Sequence, residues 1–212
     1  MKIELERVCP MEIEARSFEI IERELPHPID EALSPVIKRV IHTTADFDYV
    51  DALCFSDGVI GRALEALRGG AAIVTDTTMA MSGINKRALQ RHGGEVFCFI
   101  ADPDVAEAAR RNGTTRAVQA MEKASGLERD MIFAIGNAPT ALIHLYEMIM
   151  EGRVNPKLVI GVPVGFVNVV QSKELIMTSG VPYIVARGRK GGSNVAAAIC
   201  NALLYMLGRS TC

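Results

Sequence analysis

PYIVARGRKGGSNVAAAICNALLYML, residues 182–207, passes from a short apolar run through a basic, glycine-rich loop into a long apolar helical pattern. A strand, its outgoing turn and the helix that follows come in this order, which places the chain among α/β folds. The same unit recurs upstream. ALCFS, AAIVT, EVFCFI, MIFAIG and KLVIGVP are each too short for a helix, several are apolar on both faces, and Gly, Pro or Asp follows most of them. Such runs are strands buried on both sides of a parallel sheet.

Helix punctuation fills the intervals. VIGRALEALRGG ends on a glycine pair suited to a left-handed cap, NKRALQRHGG opens on an Asn cap, and APTALIHLYEMIMEG places Pro139 in a first turn. SNVAAAICNALLYML is nearly all apolar, so it is expected to be buried or shared with another subunit. Two helices stand ahead of the sheet, one from about Met11 to Glu24, the other opened by Ser34-Pro35 and running to about His42. No linker or repeat divides the chain. The expectation is one three-layer α/β domain spanning residues 1–212, with a mainly parallel sheet of five to six strands and an N-terminal helical extension. Strand order is not legible from spacing.

Composition fits that fold and excludes several functions. A chain of 212 residues can bury roughly 70% of its unfolded surface without disulfides or metals. Hydrophobic residues make up 49% with no Trp, so the core is built from Ala, Val, Ile, Leu and Met. A formal charge of -2 provides no field for nucleic acid or an acidic membrane. The cysteines at 9, 54, 98, 200 and 212 have no CxxC spacing and read as reduced thiols. The charged N-terminus and the lack of a long apolar run predict a soluble, cytoplasmic protein.

In open α/β folds ligands bind outside the carboxyl ends of the strands, so the post-strand loops hold the candidates. GNAP, Gly136–Pro139, pairs a residue that permits close backbone approach with a fixed helix start, which aims amides at an anion; for this loop taken alone, ordinary turn chemistry is the favoured reading. VPVGFVN, Val162–Asn168, adds Gly165 and an apolar Phe166 that can face a flat ligand. RGRKGGSN, Arg187–Asn194, combines three cations, three glycines and a Ser/Asn cap. Three neighbouring cations repel unless something negative lies close, which makes this loop the best carboxylate or phosphate site. Neither G-x-G-x-x-G nor G-x-x-x-x-G-K-[ST] is present, which argues against dinucleotides and nucleoside triphosphates.

Of the four histidines, none has metal-ligand spacing with Cys, Asp or Glu, so no metal site is expected. His42, in KRVIHTTADFDY, has Lys38 and Arg39 four and three residues earlier, both able to share its helical face. It is either a helix cap or a proton donor to a ligand held by cations. No G-x-S-x-G elbow supports a serine hydrolase.

EARSFEII, KRVIHTTAD, GNAPTAL, VPVGFV and RGRKGGS, in that order, resemble the precorrin-8X methylmutases, also called cobalt-precorrin-8 methylmutases, over nearly the whole chain. The resemblance implies a Rossmann-like homodimer whose active sites lie near the subunit interface. It also implies an isomerase of cobalamin biosynthesis that moves a methyl group from C-11 to C-12 of a tetrapyrrole without redox or organic cofactor. The family's catalytic histidine falls on His42, and its N-terminal substrate positions fall on Ser17 and Arg39. A ring bearing acetate and propionate arms needs dispersed donors, for which Arg39, Arg187, Arg189, Arg116 and the Gly136, Asn137 and Gly165 backbone are suited, and an apolar contact such as Phe166. One departure stands out. Many relatives have Gly where this chain has Ala45. The alternatives are a non-catalytic corrinoid carrier, whose D-x-H-x-x-G signature is absent, and a methyl-donor-dependent transferase, whose G-x-G-x-G loop is absent.

Overall fold

A computed structural model describes residues 6–209, with the side chain of Arg209 excepted. Six strands form one sheet: β1 (Leu53–Phe55), β2 (Ala72–Thr75), β3 (Val96–Phe97), β4 (Met131–Ile135), β5 (Leu158–Gly161) and β6 (Tyr183–Ala186). Their order is β1-β6-β5-β4-β2-β3, parallel throughout except for β1, which runs antiparallel on β6. All six runs expected from the sequence are strands, although EVFCFI contributes only Val96 and Phe97, at the sheet edge.

Period-two alternation explains why these strands are apolar on both faces. Ile73, Ile132, Ala134, Ile160 and Ile184 pack into one core; their neighbours Val74, Phe133, Ile135, Val159 and Val185 pack into the other. Each face is covered by helices, which gives the three layers. The first core lies under α2 (Ser34–Thr44), α4 (Val59–Arg68), α5 (Thr78–Gly83), α6 (Lys86–Gln90) and α11 (Ser193–Arg209). The second lies under α7 (Pro103–Asn112), α8 (Arg116–Ser125), α9 (Pro139–Met150) and α10 (Val169–Met177). α1 (Ile13–Glu24) rests on α2, and the short α3 (Tyr49–Ala52) leads into β1.

The punctuation acts as expected where it was read. Asn85 accepts from the amide of Ala88, Gly70 and Gly93 take φ of 79° and 77°, and α9 begins on Pro139. α7 and α8 carry similar signals, Pro103 with Gly113 and a Thr115 cap with Gly126, in a stretch where the sequence reading names no element. The apolar α11 is covered within the chain: residues 195–200 are all buried against α2, α4 and α5. Cys9, Cys54, Cys98 and Cys200 are free thiols, whereas Cys212 lies outside the described residues. No helix among the described residues is long and apolar enough to cross a membrane.

Candidate active site

His42 lies in the last turn of α2, exposed, with its ring stacked on Phe18 of α1 at 5.4 Å between centroids and 17° between planes. The column continues. Arg39 places its guanidinium 4.8 Å from the centre of the Phe18 ring and 5.1 Å from that of Tyr205 on α11, and pairs with Glu14 at 2.5 Å. Only 13% of the Arg39 side chain is exposed, so the stacking takes place partly out of water and is worth about 1 kcal/mol or more per ring. Arg39, Phe18 and Tyr205 border a cleft of about 660 Å³ between α1, α2 and α11. Ser17, half-buried beside Phe18, donates its hydroxyl to the carbonyl of Ile13 at 2.9 Å. Lys38 pairs with Glu22.

Helix capping is done by other groups. The Ala45 amide donates to the Ile41 carbonyl, while the Thr43 and Thr44 hydroxyls donate to Arg39 and Val40 at 2.9 and 2.8 Å. Among the described residues neither ring nitrogen of His42 has a hydrogen-bond partner. Ala45 ends the helix at φ 53°, the left-handed conformation that glycine adopts without strain, at a cost of about 1–2 kcal/mol. The departure from Gly therefore leaves the turn intact and strains it.

The second group of residues gathers outside the carboxyl ends of β2, β4, β5 and β6, where strand order reverses between β2 and β4. The loops touch backbone to backbone. A Cβ on Gly136 would stand 2.7 Å from Ser193 Cα, and one on Gly191 would stand 2.1 Å from the Val162 carbonyl oxygen. The Gly192 amide donates to Val162 at 2.9 Å and the Gly165 amide to Arg189 at 3.3 Å. Thr77 and Ser193 share a hydroxyl–hydroxyl bond of 2.7 Å, so Ser193 ties the start of α11 to the β2 loop.

Two expectations about anions change. The GNAP amides are already taken: Asp76, 1% exposed, accepts from Gly136, Asn137 and Ala138 at 2.9, 2.8 and 2.7 Å. Burial pushes the Asp76 carboxyl above the usual carboxylate range, against the pull of those three amides. The clustered cations also find partners inside the chain. Arg187 pairs with Glu174 at 3.2 Å, and Lys190 reaches Asp46 at 2.7 Å and Asp48 at 2.5 Å. Mutual repulsion therefore does not demand a bound anion. Arg189 remains exposed, its guanidinium 5.5 Å from the centre of the Phe166 ring, which is itself 83% exposed beside Val167.

Arg116 opens α8, and the Thr115–Thr140 hydroxyl contact of 3.2 Å sets that helix start beside the start of α9. The predicted residues thus fall into an α1–α2 group and a strand-end group, joined by the Lys190 bridges. Asp76 and Lys173 were not anticipated. Lys173 is fully buried on α10 and donates to the carbonyls of Gly188 and Lys190, both at 2.8 Å; burial lowers its pKa to about 8. An Asp straight after a buried strand was the available signal for the first, whereas QSKELIM offers none for the second. Among the described residues no group of three or more His, Cys, Asp or Glu converges to hold a metal ion.

A three-layer α/β domain with its candidate residues at the carboxyl ends of the strands and on one neighbouring helix pair has the arrangement of an α/β enzyme. Residues 12–206 match the precorrin-8X methylmutase family. The cobalt-precorrin-8 methylmutase of Salmonella typhimurium is 50% identical, covering 93% of this chain and 96% of that protein. The Pseudomonas aeruginosa precorrin-8X methylmutase is 41% identical, covering 81% and 83%. The crystal structure of the Thermus thermophilus precorrin-8X methylmutase superposes with a TM-score of 0.85 at 40% identity, covering 95% of this chain and all of the other. The chain belongs to the precorrin-8X methylmutase family and is an isomerase of cobalamin biosynthesis.

Proposed function

We propose that the chain acts as a single domain that moves a methyl group from C-11 to C-12 of precorrin-8X or cobalt-precorrin-8, with His42 as the proton donor. The observation that carries the histidine's part is its exposed imidazole, stacked on Phe18 and free of capping duty, one turn from Arg39. The rearrangement takes place within one bound molecule, so the protein has to orient and polarise rather than form a covalent intermediate. A proton given, or a hydrogen bond made, to the ring nitrogen beside the migrating methyl stabilises the redistributed electrons. His42 recovers the proton once the methyl has moved, a contribution of about 10²–10⁴ in rate.

Arg39 trades Glu14 for a substrate carboxylate, Ser17 offers a hydroxyl beside it, and Arg189, Arg187 and Arg116 take outer carboxylates. Phe166 meets the apolar face of the ring above the Gly165 turn. Since the Gly136 and Asn137 amides belong to Asp76, this loop meets substrate through the exposed Asn137 side chain. The 50% and 46% identities to proteins named cobalt-precorrin-8 methylmutase favour the cobalt-bearing substrate. A homodimer suits the exposed Met11 and Ile13 of the N-terminal extension and the adjoining cleft of about 660 Å³; a monomer in sedimentation equilibrium would remove that part.

Purified protein mixed with either substrate, with no cofactor added, is expected to change the visible spectrum as the conjugation shifts. An unchanged chromophore with both substrates would end the mutase reading in favour of a carrier. His42→Asn should retain binding and lose about 10² or more in turnover. Turnover within a few-fold of wild type would remove the proton-donor role.

A further inference from the structure

His42 is held from one side by Phe18, and the chain that leaves its helix is gripped from the other. Asp46 and Asp48, on the far side of the left-handed Ala45, both fall within reach of one ammonium, Lys190 Nζ, at 2.7 and 2.5 Å. The grip spans more than 140 positions of sequence, so it ties the end of α2 to the loop after β6. That loop does not move freely. Lys173 donates from the interior to the Gly188 and Lys190 carbonyls, and the Gly192 and Gly165 amides fasten the loop to the neighbouring turn. The anchor is therefore fixed from below, and its side chain reaches across to the segment that carries the histidine.

We propose that Lys190 is a positioning residue for His42, separate from the substrate-binding arginines around it. The proposal rests on His42 acting as proton donor. Lys190 shares its charge between two aspartates, which sets it apart from Arg189, whose guanidinium stands over an exposed aromatic ring. With either end of the bridge gone, the segment that follows the left-handed Ala45 loses its tie to the loop after β6. The last turn of α2 then relaxes and the imidazole leaves its working position. Displacing a reacting group by about 1 Å can cost up to about 10² in rate, and partial release should cost about tenfold.

The test compares Lys190→Met, Lys190→Arg and the double change Asp46→Asn with Asp48→Asn, each alone and in a His42→Asn background. Lys190→Met is expected to lower kcat about tenfold with KM within about twofold, because a positioning residue adds nothing to ground-state binding. Lys190→Arg should recover most of the loss, since a guanidinium can serve both carboxylates. The double Asn change should match Lys190→Met, and combining the two should add little, as expected for one interaction removed from either end. In the His42→Asn background the Lys190 effect should vanish. A KM rise of about tenfold with kcat retained would instead make Lys190 a substrate contact, and unchanged kinetics would make the bridge idle; either overturns the proposal.

A turnover-free readout separates this idea from the proton-donor reading. The imidazole NMR signal of His42, assigned by its loss in His42→Asn, should shift in ligand-free Lys190→Met and return in Lys190→Arg. An unmoved signal in Lys190→Met, or in the double Asn variant should Lys190→Met not fold, overturns the positional link. A moved signal together with a fully active His42→Asn would instead sink the proton-donor role while leaving the link standing.

Discussion

Replacing Lys173 with Met removes a buried ammonium whose hydrogen-bond partners are two carbonyls, and the consequence should be a change in how stability depends on pH. Burial holds the folded pKa at about 8, against 10.5 for an exposed lysine. At neutral pH the charged form therefore costs the native state about 3 kcal/mol relative to the unfolded chain. The sign follows from proton counting. Between about 8 and 10.5 the unfolded chain binds more protons than the folded one, so stability rises with pH across that window, is complete above it, and is lost as pH falls towards 8.

Integrating between about pH 7 and pH 10 gives a wild-type gain of about 2.5 kcal/mol from this residue alone. Lys173→Met lacks the titration. It leaves the Gly188 and Lys190 carbonyls without their donor, a constant loss of about 1–3 kcal/mol each that does not vary with pH. Urea unfolding of both proteins from pH 7 to 10 isolates the term, because other groups cancel in the difference. The wild-type-minus-variant stability should climb by about 2.5 kcal/mol over that range. Parallel curves would mean that Lys173 holds an ordinary pKa and that its burial is relieved by water.

Two further variants probe the turns around the site. Ala45→Gly should stabilise the protein by up to about 1 kcal/mol, because relief of the left-handed strain outweighs the extra freedom of glycine in the unfolded chain; a lower melting temperature would contradict the geometry. Asp76→Asn presents one acceptor oxygen to three amides, so at least one amide is orphaned and about 1–3 kcal/mol is lost. Hydrogen exchange should accelerate at one or more of Gly136, Asn137 and Ala138 in that variant, and unchanged protection at all three would show that Asp76 does not hold the turn.

The difference between Asp76 and the GNAP loop illustrates what could be read in advance. Gly136 and Pro139 follow rules local in sequence, and the expected close backbone approach at Gly136 is present, made by Ser193. The partner that occupies the amides lies about 60 positions upstream, and nothing in the loop names it. RGRKGGS behaves in the same way. Its glycines announced tight packing, whereas the carboxylates that neutralise Lys190 and Arg187 sit on elements distant in sequence or one helix away.

By itself the sequence determined the strand runs, the main helix ends and the family, because periodicity, capping and motif order depend on residues a few positions apart. Strand order, the placement of β1 antiparallel to β6, the Asp76 staple and the Lys173–Lys190 tie to the His42 segment were decided only by the tertiary structure. Each joins groups whose attraction or hydrogen bonding acts over a few ångströms of space, and only folding brings them that close.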